Sequence, residues 1–180
     1  MKEKSGLFSM TSCSLMAALM CALCPLALPI GPIPVSLGTF IMMLTVYLLG
    51  TRRSLISCAV YLLLGAVGMP VFSGYHGGIS KLVGPTGGFL FGYLGLVIVA
   101  GLILRLGKRK LSWAVLAMAL GMTVNYLCGT VWFSVQTASS LRQAFDVCVL
   151  PFIPVDVLKI GLAIFLGRLI RLSLLRANLL

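Results

Sequence analysis

Pro151-Phe152-Ile153-Pro154-Val155-Asp156-Val157-Leu158-Lys159 opens an apolar run that continues to about Leu169. It places a carboxylate and an ammonium three residues apart, and so on one face of a helix. Apart from Glu3 near the start, the only other acid in the chain is Asp146, which leaves Asp156 as the one carboxylate inside an apolar run. An ionisable residue at that depth of a bilayer is expensive and turns toward a bundle interior or a cavity, which makes it a candidate for a functional site. The competing reading is that Asp156 and Lys159 neutralise each other and only fix how the last helix packs.

The rest of the composition agrees with a bilayer. Of the 180 residues, 60% are hydrophobic and 9% charged, with a mean hydropathy of +1.13. So little polar surface cannot cover a soluble core. Each helical crossing needs roughly 20 apolar residues, which after loops leaves room for about six. A closed barrel would need short alternating segments, and uninterrupted runs such as Leu55 to Val71 argue against it. The expected fold is therefore an all-α integral membrane protein. Residues 1–180 form a single membrane domain, one bundle of six transmembrane helices at about 8–30, 36–50, 55–71, 88–104, 113–135 and 151–170.

Charge then orients the bundle. With these spans, Lys2, Lys4, Arg52, Arg53, Arg105, Lys108, Arg109, Lys110, Arg168, Arg171 and Arg176 fall on one side. Lys81 and Arg142 fall on the other. Eleven against two is the positive-inside pattern and predicts that both termini are cytoplasmic. The net charge of +11 is thus a topology signal, with attraction to anionic membrane lipid as a secondary effect, and it does not point to nucleic acid. No signal-peptide cleavage site follows the first run, which reads as a retained span. The six cysteines lie in or beside apolar segments without His partners and read as packing residues. Cys21 and Cys24 in particular lack the second pair that a metal site needs.

The unusual stretches gather on the outer side. Pro29 to Ser36 is proline-rich and uncharged, so its backbone must be buried in protein or line a cavity. Ser73 to Gly88 holds six glycines, which permit close approach of backbone to a ligand, and Gly87-Gly88 directly precedes the fourth span. A plain flexible turn is the competing reading. His76, the only histidine, falls in this loop and reads as a loop residue. In the fifth span, Gly121, Asn125 and Gly129 share a face, so Asn125 either joins two helices or reaches a ligand. Trp132 is placed as an interfacial anchor, and Gln136 to Asp146 as a polar connection that could hold a short interfacial helix. Ser14, Ala18 and Ala22 form a stripe of small residues on the first helix, suited either to packing within the bundle or to docking a separate subunit. No nucleophile–base pair, metal cluster or phosphate-binding loop stands out, so neither catalysis nor a cofactor is expected.

Four runs together resemble the BioY family, the biotin-binding S components of energy-coupling factor (ECF) transporters. They are Pro29 to Leu37, Gly65 to Phe72, Gly84-Pro85-Thr86-Gly87-Gly88-Phe89-Leu90-Phe91-Gly92-Tyr93, and Pro151 to Lys159, in order within residues 10 to 170. The resemblance implies a multi-pass protein of the bacterial cell membrane that captures biotin from outside and is not itself an enzyme. Its expected partners are a transmembrane coupling subunit, docked on Ala18 and Ala22, and two cytoplasmic ATPase subunits. Asp156 is expected to accept the ureido N–H groups, with Lys159 and Asn125 serving the ligand's carbonyl or carboxylate. Gly84, Thr86, Gly87, Gly88 and Tyr93 are expected to close around it. Family members often carry glutamine where this chain has Gly38. Alternatives are an S component for another vitamin, or a ligand-free membrane scaffold whose polar residues only hold helices together.

Overall fold

The computed structural model describes residues 2–28, 35–108 and 110–176. The proline-rich run, apart from Val35 and Ser36, lies outside the described residues, as does Arg109. The chain is mostly helical, in agreement with the all-α expectation. Helix α1 (Lys2–Leu23) stops ahead of Pro25, which disfavours helical geometry at the residue before it, so it ends earlier than the apolar run alone implies. A two-residue antiparallel ribbon follows, pairing β1 (Ala27–Leu28) with β2 (Val35–Ser36). Helix α2 (Gly38–Leu49) passes directly into α3 (Thr51–Ala66) through Gly50, whose φ of 77° is the left-handed turn that glycine supplies. Gly68, at φ 109°, and Pro70 then end α3 short of the expected position 71.

The glycine-rich loop contains a bridge between Phe72 and His76 and a single-turn helix, α4 (Ile79–Val83). Two long, uninterrupted apolar helices come next, α5 (Gly87–Leu106) and α6 (Leu111–Thr137). The connection after α6 does hold a short helix, α7 (Leu141–Cys148), started by a reciprocal cap between Ser140 and Gln143. It bends by 53° into α8 (Ile153–Arg176). By length and composition α5 and α6 are each able to cross a membrane alone, and α7 with α8 would add a third span if the bent pair is one. Helix α2 has only 12 residues, and α8 carries Asp156, Lys159 and three arginines, which keeps both outside that criterion.

Close contacts give the helix directions. Thr39 meets Lys159 and Tyr47 meets Gly167, so α2 and α8 run parallel. Phe89 lies against Gly129, and Leu96 against Gly121, so α5 and α6 are antiparallel. Ser57 of α3 donates to the Cys13 carbonyl of α1, 3.0 Å away. The core is built of Met20, Met42, Met43, Val46, Tyr61, Phe72, Leu96 and Met118, all nearly inaccessible. The result is a bundle with two chemically different ends. Ser36, Thr39, Phe89, Asn125 and Asp156 gather at one; Thr51, Arg105 and Arg171 gather at the other.

Glycine sets the spacing of α5 and α6. A Cβ on Gly88 would press on Trp132 and on the Cys128 backbone carbonyl, whereas one on Gly161 of α8 would meet nothing. Gly88→Ala should therefore destabilise the fold by about 1–3 kcal/mol through overpacking. Gly161→Ala should leave stability unchanged or slightly higher. Thermal unfolding of the two purified variants in detergent checks the contrast.

Candidate functional site

The start of α8 carries the chemistry because its first two turns place Asp156 and Lys159 side by side against α2 and α6. The carboxylate Oδ1 and the ammonium Nζ are 2.9 Å apart, and the two residues are 4% and 7% exposed. Lys159 also donates to the Ser36 carbonyl at 2.9 Å and to the Thr39 hydroxyl at 3.2 Å. Its three N–H donors are thus all placed. The other carboxylate oxygen, Oδ2, accepts from the Tyr126 hydroxyl of α6. A buried ion pair tolerates its loss of hydration only when its remaining valences are satisfied, and here β2, α2 and α6 supply the partners.

The pair forms one wall of a cavity of about 60 Å³. Phe89, Leu90, Tyr93 and Phe152 give it apolar sides; Ser36, Thr39, Ser73 and Thr86 add hydroxyls; Asn125 and Tyr126 close it from α6. Asn125 is 1% exposed, and within the described chain its Oδ1 has no hydrogen-bond partner. Gly92 brings α5 against that side chain, since a Cβ there would collide with it. An unpaired buried amide oxygen costs roughly 1–3 kcal/mol.

Of the residues expected from sequence, Asp156, Lys159, Asn125, Tyr93 and Thr86 line this one cavity. Gly84, Gly87 and Gly88 sit behind it. The Gly84 carbonyl accepts from Trp132 Nε1 at 2.9 Å, and Gly87 and Gly88 lie tightly against the Leu82 carbonyl and Trp132. Trp132, expected as an interfacial anchor, thus ties the glycine loop to α6 and packs on Phe91 at 5.8 Å between ring centroids. Ala18 and Ala22 are exposed together with Ser14, while the opposite face of α1, with Cys13, Ala17 and Met20, is buried. His76 is exposed, its Nδ1 3.1 Å from the Ser73 carbonyl. Thr39 and Tyr126 are the residues that the sequence did not mark. The available signal was helical depth: Tyr126 follows Asn125, and Thr39 opens the short second helix. Gly38 also gains a reason. The Tyr93 hydroxyl fills the space in which a side chain at 38 would begin, so this chain shapes that wall with tyrosine.

Comparison with known proteins places this arrangement. The chain is 35% identical over 138 residues to the biotin transporter BioY of Thermotoga maritima, covering 77% of this chain and 80% of that one. It is 34% identical over 179 residues to biotin transporter BioY2 of Lactococcus lactis, covering 97% and 94%. A solved S component for biotin from an ECF-type ABC transporter superposes with a TM-score of 0.88 at 27% identity, over 95% of this chain and 94% of that one. The BioY family model matches residues 1–176, a range that takes in all four signature runs and every residue of the cavity, and the chain therefore belongs to the BioY family.

Proposed function

We propose that the chain is the substrate-binding membrane subunit that captures biotin for ATP-driven uptake by an ECF transporter complex. The observation that carries this reading is the mixed pocket at the Asp156–Lys159 pair, in a chain whose relatives are named biotin transporters. Biotin presents two ureido N–H donors flanking a carbonyl, a thioether bicycle and a carboxylate tail. Asp156 accepts the ureido N–H groups, Asn125 and Lys159 serve the carbonyl or the carboxylate, and Phe89, Tyr93 and Phe152 enclose the bicycle. Thr86 closes the rim, while Gly84, Gly87 and Gly88 hold that rim against α6.

A cavity of about 60 Å³ is small beside the roughly 300 Å³ typical of ligand sites, so this reading calls for its walls to part on biotin entry. Tyr126 is the first group to yield, because its hydroxyl occupies the carboxylate oxygen that a ureido N–H needs.

The six longer helices α1, α2, α3, α5, α6 and α8 are the six spans, with both termini on the cytoplasmic side of a bacterial cell membrane and the pocket facing outward. The exposed Ala18 and Ala22 stripe is the face for the transmembrane coupling subunit, through which two ATPase subunits act. The competing scaffold reading is favoured by one observation: both oxygens of Asp156 are already paired within the chain.

Equilibrium binding of labelled biotin to the purified chain in detergent separates the two. Saturable binding at one site, displaced by biotin and not by other vitamins, is expected; a folded chain without binding leaves the scaffold reading. Asp156→Asn preserves shape and removes charge, so it should weaken binding by about 1.5–3 kcal/mol, one to two orders of magnitude in Kd. Unchanged affinity would remove Asp156 as the ureido acceptor. Ala18→Trp with Ala22→Trp should abolish co-purification with a coupling subunit while the isolated chain binds biotin normally. Retained co-purification would move the docking face elsewhere.

A further inference from the structure

At the opposite end of the bundle lies a second cavity, of about 490 Å³, that plays no part in the site above. Arg105 from the last turn of α5, Lys108 from the following turn and Arg171 from α8 converge on it, with Thr51 and the buried Leu104 as its floor. Asp156 is about 22 Å away along α8 at 1.5 Å per residue. Asp156–Lys159 is the only ion pair among the described residues, and Asp146 belongs to α7 at the far end. Three cations held in one concavity, with no carboxylate among the residues that line it, focus positive potential and draw in an anion.

The neighbouring backbone adds to that field. Thr51 begins α3, a 16-residue helix with no side-chain cap and no acid in its first turn, which instead holds Arg52 and Arg53. Its free N–H groups and dipole have the same sign as the side chains around them. Gly101 makes the convergence possible. A Cβ there would collide with Thr51, so only glycine lets α5 lie against the start of α3 and carry Arg105 to the cavity one turn later.

We propose that this basic cavity binds a phosphoryl group, presented by the head group of an anionic phospholipid. Guanidinium groups pair with phosphoryl oxygens in a two-point fork, and Arg105 and Arg171 supply two of them. Phosphoryl chemistry is shared by lipid head groups and free phosphate. The exposed Leu102, Leu106 and Leu172, each next in sequence to a lining residue, favour the lipid, because they offer nearby apolar surface to acyl chains. The proposal stands independently of biotin capture, since its readout is occupancy of this cavity on a folded chain.

The test titrates the full chain in maltoside detergent with phosphatidylglycerol, phosphatidylcholine or inorganic phosphate, following bound adducts by native mass spectrometry and the thermal midpoint. Phosphatidylglycerol should bind saturably at one site and raise the midpoint, with phosphatidylcholine at least tenfold weaker because its choline cancels the charge. Arg105→Gln with Arg171→Gln should weaken phosphatidylglycerol by about tenfold or more, while Arg142→Gln, at the other end, changes nothing. Lys108→Gln alters one exposed turn residue and serves if the arginine pair does not fold, with a loss of about fivefold expected. Inorganic phosphate that saturates the site and displaces the lipid would uphold the phosphoryl site and assign it a soluble ligand. Absence of saturable binding by both probes, or equal phosphatidylglycerol affinity in the arginine and lysine variants, overturns the proposal.

Discussion

The arrangement of the bundle depends on one constraint: a carboxylate and an ammonium are buried together in an apolar interior. Several kcal/mol of lost hydration per ion must be offset locally, and Coulomb attraction alone does not suffice. Lys159 therefore takes acceptors from β2 and α2 as well as its partner, and Asp156 takes a hydroxyl from α6. The adjacent β2 and α2, and the distant α6, are thereby fixed to the first two turns of α8. The neighbouring Asn125, by contrast, keeps a buried amide oxygen without a partner among the described residues.

The α5–α6 wall is an exercise in backbone proximity. Gly88, Gly92 and Gly129 each face a side chain of the partnering helices that would have no room beside a Cβ: Trp132, Asn125 and Phe89 respectively. Small residues thus let large ones reach across the crossing. The glycine loop plays a related part. Its Gly84 carbonyl is held by the Trp132 indole, so the loop is clamped to α6 and delivers Thr86 and Phe89 to the pocket. Cavity lining and helix packing are carried by adjacent residues of one run, with the hydroxyl and the aromatic forward and the glycines behind.

Much of this was legible in the sequence because charge in an apolar run has few explanations. Asp156 and Lys159 stood out on those grounds alone, and Asn125 stood out as an amide flanked by glycines. Tyr126 and Thr39 did not, since a tyrosine or threonine in an apolar helix is as well suited to packing as to hydrogen bonding. Their roles follow from which helix faces them, and pairwise distance is not written in periodicity. Helix ends were misplaced where hydropathy outran backbone chemistry: the apolar run continues past Pro25 and Gly68, but the helices do not. Gly38 shows the reverse case, in which a missing side chain became intelligible only once Tyr93 was seen to fill its place. The basic cavity was hidden for a similar reason. Arg105, Lys108 and Arg171 counted equally with eight other cations until the fold set α5 against α3 at Gly101 and brought Arg171 of α8 to the same cavity.

The two ends of the bundle are complementary solutions to a shortage of acids. With 14 basic residues and three acidic ones, the chain cannot neutralise its cations internally. It places one of those three carboxylates at the pocket, where burial makes an unpaired ammonium intolerable, and leaves the other end to its surroundings. That division is physically consistent, because exposed cations are solvated and need counterions only loosely, whereas buried ones need a fixed partner. Under the proposed biotin reading, a charged pair also suits a neutral ureido ring better than a single charge would. The pair presents an acceptor and a donor on one face at no net charge, so exchanging a tyrosine hydroxyl for a ligand N–H leaves the electrostatics of the apolar interior nearly unchanged.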